Sequence, residues 1–189
     1  VAPEKHVTVM LHFETGNTLY FQDTRKFGRM EYVNNPMEKL AHLGPEPLAD
    51  DFTPEVFYKM LRSKNRQIKP LLLDQTFLAG LGNIYVDEAL FQAGIQPLSI
   101  AASIPKRQSM SLHAAIQSIL SASIKAQGTT ILNFSHGENE SGTYQAALQV
   151  YGRKDEPCLV CETPITKITV GQRGTHFCSS CQSLFKAKR

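Results

Sequence analysis

Apolar residues alternate with other residues in the first part of the chain, which is the period of a β-strand. The alternation runs through residues 7–13, pauses at the turn-like stretch 14–17 and resumes over 19–21. This pattern predicts a β-hairpin, and we expect a third strand over 27–33. Three strands with one apolar face need a second layer to cover that face. We therefore expect this segment to be the tail end of a larger antiparallel β-sandwich domain.

A helical period replaces the strand period after a segment rich in Pro and Gly at 36–51, which we interpret as a linker. Thr53 followed by Pro54 predicts the N-cap and the first turn of a helix. The expected apolar face of this helix consists of Val56, Phe57, Met60 and Leu61. Pro70 predicts the start of a short second helix.

Two further helices are predicted downstream. Asn83 is the expected cap of a helix that ends at a left-handed Gly94. A longer helix follows Pro105 and ends before Gly128. The expected apolar face of the long helix consists of Leu112, Ile116, Ile119, Leu120 and Ile124.

The four cysteines of the chain occur as two Cys-x-x-Cys pairs. Cys158 and Cys161 form the first pair, Cys178 and Cys181 form the second, and sixteen residues separate the pairs. This spacing is typical of a four-thiolate zinc site, and the alternation over 163–177 predicts a β-hairpin that returns the second pair to the first. Because four thiolates leave zinc no open position, we expect a structural metal. The alternative, two disulfides in a secreted domain, is disfavoured because no signal peptide is visible.

Charge is concentrated near the C-terminal end. The 189-residue chain has a formal net charge of +3, and residues 150–189 contain seven basic and three acidic residues. A basic, zinc-stiffened segment is a candidate surface for phosphate groups, although a solubilising tail fits the charge equally well. No apolar run approaches the roughly 20 residues of a membrane span.

Two loops have the composition of nucleic-acid contacts. Residues 23–29 combine Arg25 with Phe27, and a guanidinium can bind phosphate or a base edge while an aromatic ring wedges into the stack. The alternative is a polar turn with a buried Phe. Gly80 and Gly82 leave the N–H groups at the start of the next helix uncovered, as a phosphate site requires. The alternative there is a turn that lets two helices pack closely.

Five motifs follow one another along the chain. They are Asp23-Thr-Arg-Lys-Phe-Gly-Arg29, Leu43-Gly-Pro-Glu-Pro-Leu48, Phe77-Leu-Ala-Gly-Leu-Gly-Asn83-Ile-Tyr-Val-Asp-Glu-Ala-Leu90, Leu148-Gln-Val-Tyr-Gly-Arg153, and Arg173-Gly-Thr-His-Phe-Cys178 with Cys181-Gln182. In this order they resemble the motifs of the formamidopyrimidine-DNA glycosylases, bacterial enzymes that remove oxidised purines from DNA. The related endonuclease VIII branch shares the architecture, but residues 83–88 are more similar to the formamidopyrimidine branch.

The resemblance implies an α+β protein of several parts. A remnant of an antiparallel β-sandwich domain (1–35) and a linker (36–51) would precede a helical helix–two-turn–helix domain (52–142). A four-cysteine zinc-finger β-hairpin (143–189) would follow, with one structural Zn²⁺.

The implied function is base-excision DNA repair. The family member would be a DNA glycosylase and AP lyase that removes formamidopyrimidine and 8-oxoguanine from duplex DNA, as a monomer in the bacterial cytoplasm, associated with the nucleoid. Its partner would be duplex DNA that contains an oxidised purine or an abasic site. The alternative from another class is a non-catalytic, zinc-dependent DNA-binding protein. An RNA-associated zinc ribbon is disfavoured because no aromatic stacking platform is evident.

The resemblance also implies contacts to the DNA backbone. Asn83 would bind a phosphate from the turn between helices, and Arg173, at the tip of the zinc hairpin, would bind the phosphates that flank the lesion. Lys69 and Tyr151 would add further backbone contacts.

Contacts to the bases are implied for two other parts of the chain. Arg25 would face the base opposite the lesion, and Phe27 would be wedged beside it. The loop around 134–144 would close over the extruded base. Extrusion costs a few kcal/mol of stacking, which a wedge and phosphate contacts would offset.

The sequence departs from the family pattern at its start. The family's nucleophile is the amine of an N-terminal proline next to a glutamate. Pro3-Glu4 repeats that pair, but the Pro3 nitrogen is in an amide bond to Ala2 and has no lone pair to offer. We therefore expect the catalytic proline, its glutamate and the family's β-hairpin lysine to lie outside this sequence, and this chain alone to be inactive. Glu162 and Gly171-Gln172 also differ from the pattern, and Glu162 would be strained if its φ is positive.

Overall fold

The computed structural model describes residues 5–129, 135–136 and 140–186, and the chain divides into two compact units, Val1–Ala41 and His42–Arg189. No helix in the described ranges is both long and apolar enough to cross a membrane. The predicted boundaries at 35, 51 and 142 stay predictions.

The first unit contains the predicted hairpin. Strand β1 (Val7–His12) pairs antiparallel with β2 (Thr18–Gln22), with Val9 opposite Phe21 and Leu11 opposite Leu19. The prediction of a third strand over 27–33 is wrong, since these residues are irregular. A strand needs a hydrogen-bonded neighbour, and the described part of the unit pairs only β1 with β2.

Helix α1 (Pro36–Leu40) lies within the segment predicted as a linker. The Asn35 side chain caps it by accepting the N–H of Met37, and Pro36 occupies the first helical position. These two residues are a helix-start signal that outweighed the Pro and Gly content of the segment. The predicted linker is therefore helical at its beginning.

Within its described residues, the second unit is built on four helices and two small hairpins. The helices are α2 (Pro54–Arg62), α3 (Ile68–Leu72), α4 (Asn83–Gln92) and α5 (Lys106–Lys125), with short 3₁₀ turns at Ala101–Ser103 and Tyr144–Ala147. Strand β3 (Ser135–His136) pairs antiparallel with β4 (Glu140–Ser141), and β5 (Thr166–Val170) pairs antiparallel with β6 (Arg173–Phe177).

The core of this unit lies where α5 packs against α2 and α4. Its buried side chains include Phe57, Leu61, Val86, Leu90, Leu112, Ile116, Ile119 and Leu120. Two residues predicted for this core, Val56 and Ile124, are exposed. Both lie at the edge of their apolar stripe, and Ile124 in the last turn of α5 is 64% exposed.

The helix ends follow local chemistry at most positions. Thr53 caps α2 by accepting the N–H of Val56, as predicted, and Pro54 is the first residue of the helix. Gly94 has φ 67° after α4, and the Ile95 N–H bonds to the Leu90 carbonyl at 2.9 Å, which completes a Schellman end.

Two expected helix starts are displaced. Pro70 lies inside α3, in its first turn, where its missing N–H costs nothing. The prediction that Asn83 caps α4 is wrong, because Gly82 is the cap and Asn83 is the first helical residue. The Asn83 side chain instead reaches the zinc-finger hairpin, as described below.

Candidate zinc centre and phosphate-binding surface

The four cysteine sulfurs lie together at the base of the β5–β6 hairpin. All four Sγ atoms are within 4.8 Å of one another, and individual separations are 3.3 Å for Cys161–Cys181, 3.4 Å for Cys161–Cys178 and 3.9 Å for Cys158–Cys181. Tetrahedral Zn²⁺ with bonds of about 2.3 Å places its sulfurs about 3.8 Å apart. The donor set therefore fits one structural Zn²⁺, as the Cys-x-x-Cys spacing predicted.

Three thiols of this cluster have a pKa that is shifted from the ordinary value of cysteine. Hydrogen bonds from the side chain and backbone of Thr163 lower the pKa of the Cys161 thiol to about 6. Burial raises the pKa of Cys178 and of Cys181. Since zinc binds thiolates, metal uptake must displace the protons of Cys178 and Cys181.

Backbone conformation around the hairpin is constrained. Gly171 and Gln172 form the two-residue turn between β5 and β6 with φ 55° and 62°, the left-handed pair that a tight hairpin requires. Glu162, which follows the second cysteine of the first pair, has φ 63°, so the suspected positive φ is present. Its N–H bonds to the Cys158 carbonyl at 2.9 Å, which fixes this conformation.

A small apolar cluster joins the zinc centre to helix α4. Phe91 of α4 packs with Val150, Cys158, Ile165 and Cys178. The Gln182 side chain adds a polar link between the same two parts, and both ends of its amide are hydrogen-bonded. Its Oε1 accepts the Cys178 N–H at 2.8 Å, and its Nε2 donates to the Ile95 carbonyl at 2.8 Å.

Glu88 holds the segment that leads into the zinc centre. Its buried carboxylate accepts the N–H of Gln149 at 2.9 Å, of Val150 at 3.0 Å and of Tyr151 at 2.8 Å. These three bonds compensate the buried charge of the carboxylate and give each of the three backbone N–H groups an acceptor. The approach to the first cysteine pair is therefore fixed by a side chain of α4.

Asp87, the neighbour of Glu88 in α4, holds strand β6 of the zinc hairpin. Its Oδ2 accepts the His176 N–H of β6 at 2.9 Å, and its Oδ1 lies 2.6 Å from Nζ of Lys69 on α3. Both ion-pair side chains are 0% exposed. Burial lowers the pKa of Lys69, the charge and hydrogen bond of Asp87 raise it, and the nearby Arg173 lowers it.

The Gly174 carbonyl of β6 is the meeting point of the candidate residues. It accepts a hydrogen bond from Lys69 Nζ at 3.0 Å and another from Asn83 Nδ2 at 3.1 Å. Arg173, one residue earlier, is exposed and makes no ion pair within the described residues. Tyr151 packs edge-to-face on His176, with ring centroids 5.0 Å apart. The structure therefore brings Lys69, Asn83, Tyr151 and Arg173 together around β6.

The structure changes the interpretation of Lys69. The expected contact to DNA requires an accessible ammonium group, but that group is completely buried and bonded to Asp87 and to the Gly174 carbonyl. Nothing in the sequence near Lys69 predicts that its side chain is buried. The burial depends on the tertiary contact with Asp87.

Arg25 and Phe27 belong to the first unit, in the loop after β2. The Asp23 carboxylate accepts the N–H groups of Arg25 and Gly28 and shapes this loop. Phe27 is 77% exposed, and the Arg25 guanidinium lies 5.2 Å from its ring centroid. The alternative interpretation, a polar turn around a buried Phe, is therefore wrong.

Sequence reasoning missed Asp87, Glu88 and His176, which organise the site. The sequence did contain a signal that these two acids are buried. Asp87 and Glu88 are consecutive acids in a helix whose next three residues are apolar, so α4 has no separate polar face that would expose both of them to solvent. Pro3-Glu4 lies outside the described residues, as do positions 134 and 137–139 of the loop around 134–144.

Comparison with known proteins gives matches over most of the chain. The formamidopyrimidine-DNA glycosylase H2TH domain matches residues 43–135, and a zinc finger found in FPG and IleRS matches residues 155–184. The formamidopyrimidine-DNA glycosylase of Bacillus licheniformis is 46% identical over 184 residues, which are 95% of this chain and 66% of that protein. The Lactobacillus helveticus enzyme is 44% identical over 187 residues, 97% of this chain and 68% of that protein.

Solved structures give the same result. The Lactococcus lactis protein of this name, in complexes with DNA containing Fapy-dG or an abasic site, has a TM-score of 0.88 and 39% identity over 96% of this chain and 68% of that one. The chain thus spans about two thirds of the length of the curated relatives it matches.

Proposed function

The chain belongs to the formamidopyrimidine-DNA glycosylase family, and on that premise we propose that it is the DNA-binding portion of a base-excision repair enzyme. The substrate class is duplex DNA that carries an oxidised purine, either formamidopyrimidine or 8-oxoguanine, or an abasic site. We place this protein in the bacterial cytoplasm, in association with the nucleoid.

One observation carries the proposal: α3, through Lys69, and α4, through Asn83, each donate a hydrogen bond to the Gly174 carbonyl of the zinc hairpin, directly beside an exposed Arg173. The start of α4 offers N–H groups that have no acceptor within the helix, and a Cβ at Gly82 would meet nothing within 4 Å. Open backbone donors beside a guanidinium are a chemical match for the phosphates of a DNA strand.

Three residues are proposed to contact the DNA backbone, and a fourth, Lys69, is proposed to support them from within the protein. Asn83 and Arg173 would bind phosphates directly, and Tyr151 would contact the backbone from its place on His176. Lys69 would act without touching the DNA, because its ammonium group is buried. It would hold the Gly174 carbonyl in place through its hydrogen bond.

Arg25 and Phe27 are proposed to act on the bases. An exposed aromatic ring with a guanidinium against it can enter a base step and occupy the space of an extruded nucleotide. Phe27 would be the wedge, and Arg25 would face the orphaned base.

The reaction proposed for the whole protein is that of a bifunctional glycosylase. The glycosidic bond of the damaged base would be broken through a Schiff base between an amine of the enzyme and the sugar, and the strand would then be cut by β,δ-elimination. The residues described here would supply binding energy and hold the distorted duplex, so that the reactive sugar is presented in one position.

Binding and activity are tested separately. Fluorescence anisotropy should detect binding of this chain to a duplex with a central tetrahydrofuran abasic analogue, and weaker binding to the undamaged duplex, because a site without a base costs less to extrude. Absence of binding to either duplex at low salt would contradict the DNA-binding role.

Activity is tested on the product of the complete coding sequence, with an 8-oxoguanine duplex and sodium borohydride. A covalent protein–DNA product is expected, since borohydride reduces a Schiff base to a stable amine. A protein that binds the duplex but is never trapped would instead be the non-catalytic DNA-binding protein considered above.

A further inference from the structure

The ion pair of Lys69 and Asp87 is not explained by stability. Both side chains are 0% exposed, with Nζ 2.6 Å from Oδ1. Taking two charges out of water is costly, and apolar residues of similar volume often replace such a pair without loss of stability. A role for this pair must therefore be sought in what it holds in place.

The pair holds the outer edge of strand β6. Asp87 Oδ2 accepts the His176 N–H, and Lys69 Nζ donates to the Gly174 carbonyl. These are main-chain groups of alternate residues, so they point to the same side of the strand. In the 5-residue β6 the side chains of α3 and α4 thus take the place of a neighbouring strand.

The same edge orients Asn83. A carbonyl oxygen can only accept, so the Gly174 carbonyl receives the nitrogen end of the Asn83 amide, 3.1 Å away. The Asn83 Oδ1 is left buried and without a partner, which is the cost of this orientation. This bond uses one of the two protons on Nδ2.

We propose that Lys69 and Asp87 are positioning residues for DNA binding: together they lock β6 onto α4, so that Asn83 and Arg173 are presented to the DNA backbone at a fixed separation and with the Asn83 amide turned as a donor. This inference rests on the proposed function, in which Asn83 and Arg173 bind phosphates. It assigns to Asp87 a part in DNA binding without any contact to DNA.

The test compares a neutral, apolar pair with the wild-type chain. Lys69→Met with Asp87→Leu removes both charges and keeps the volume. We expect one zinc per chain and a midpoint of thermal unfolding close to that of wild type. The Kd for the abasic-analogue duplex should rise by about tenfold or more, the loss expected when a charge-assisted phosphate contact is misplaced.

A variant that binds the duplex as tightly as wild type would overturn the positioning role. If the apolar pair does not fold, Lys69→Met with Asp87→Asn serves instead, because the amide oxygen can still accept the His176 N–H. If neither neutral pair folds, the ion pair is required for stability and the proposal is wrong. Glu55→Gln with Lys106→Met, an exposed and loose pair with 3.9 Å between its charges, is the matched control and should leave the Kd unchanged.

A readout without DNA separates this proposal from the proposed function. In ¹⁵N NMR spectra of the free chain, the Asn83 side-chain amide should exchange with water about tenfold faster or more in the neutral pair than in wild type, since its acceptor is no longer held. Unchanged exchange would overturn the positioning role even if DNA binding is lost. Conversely, faster exchange in a chain whose wild type binds no DNA would leave the positioning intact and reject the proposed function.

Discussion

The Asn83 side-chain amide donates to the Gly174 carbonyl at 3.1 Å, across 91 positions of the sequence. This bond joins the first residue of α4 to the strand that carries Arg173. With the bonds made by Lys69 and Asp87 beside it, it makes the helix and the zinc hairpin one continuous surface.

Glu88→Gln should destabilise the chain by about 2 kcal/mol, as expected when a buried, charged acceptor of backbone N–H groups is lost. The amide replaces one accepting oxygen by an NH₂ group that faces backbone N–H donors of residues 149–151. Urea unfolding followed by circular dichroism measures the change. Glu55→Gln, an exposed residue in the first turn of α2, is the control and should change stability by less than about 0.5 kcal/mol.

Equal effects of these two substitutions would contradict the role of Glu88, because they would show that its three hydrogen bonds add nothing beyond a surface carboxylate.

Removal of zinc should unfold the segment from Cys158 to Cys181 while the helical core survives. The four cysteine sulfurs, all within 4.8 Å of one another, lose their common partner, whereas the helices keep their own apolar cluster. Elemental analysis should give one zinc per chain, and chelation should lower the midpoint of thermal unfolding. Ser179→Ala, between the second pair of ligands, should retain the metal. A chain that keeps its full stability after chelation would contradict a structural zinc.

Glu162→Gly should stabilise the chain by about 1 kcal/mol. Glu162 has φ 63°, a conformation that costs an L-residue roughly 1–2 kcal/mol and glycine little. The difference between the free energies of unfolding of the variant and wild type, measured in urea with zinc in excess, gives the gain. Lys154→Gly, an exposed position that does not have a positive φ, should instead be neutral or destabilising, and a gain there of the same size would remove the conformational explanation.

The loop that carries Arg25 and Phe27 should loosen in acid. Hydrogen bonds from the N–H groups of Gly28 and Arg25 lower the pKa of Asp23, so its folded value lies below the unfolded value of about 3.9. The carboxylate therefore stabilises the loop above that unfolded value, and the contribution is lost as the pH falls through the lowered pKa. In NMR titrations the Gly28 N–H signal should follow Asp23, and Asp23→Asn should abolish that pH dependence.

Local patterns accounted for much of the fold. Thr53 with Pro54, Gly94 and the two cysteine pairs were predictable because each needs only residues a few positions away. Phe27 was ambiguous, since an aromatic in a polar loop fits either burial or exposure, and the sequence does not state which neighbours surround it.

The organisation of the site could not be predicted for a physical reason. Lys69 meets the Gly174 carbonyl across 105 positions, and Asp87 meets the His176 N–H across 89. Every residue of a strand has a main-chain N–H or C=O group, so no sequence pattern identifies the ones that Lys69 and Asp87 bind. The same limit explains Asn83, whose local chemistry favours a cap but whose tertiary partner takes its side chain.

The salt dependence of duplex binding tests the phosphate-binding surface most directly. In anisotropy titrations between about 50 and 200 mM salt, Arg173→Ala should weaken binding to every duplex sequence alike and reduce the slope of log K against log salt by about 0.9, since one phosphate contact is lost. Asn83→Ala should weaken binding with no change of slope, because an amide releases no counterion, and Arg107→Ala on α5 is the charge-matched control. An Arg173→Ala chain with the wild-type affinity and slope would show that the zinc hairpin does not bind the DNA backbone.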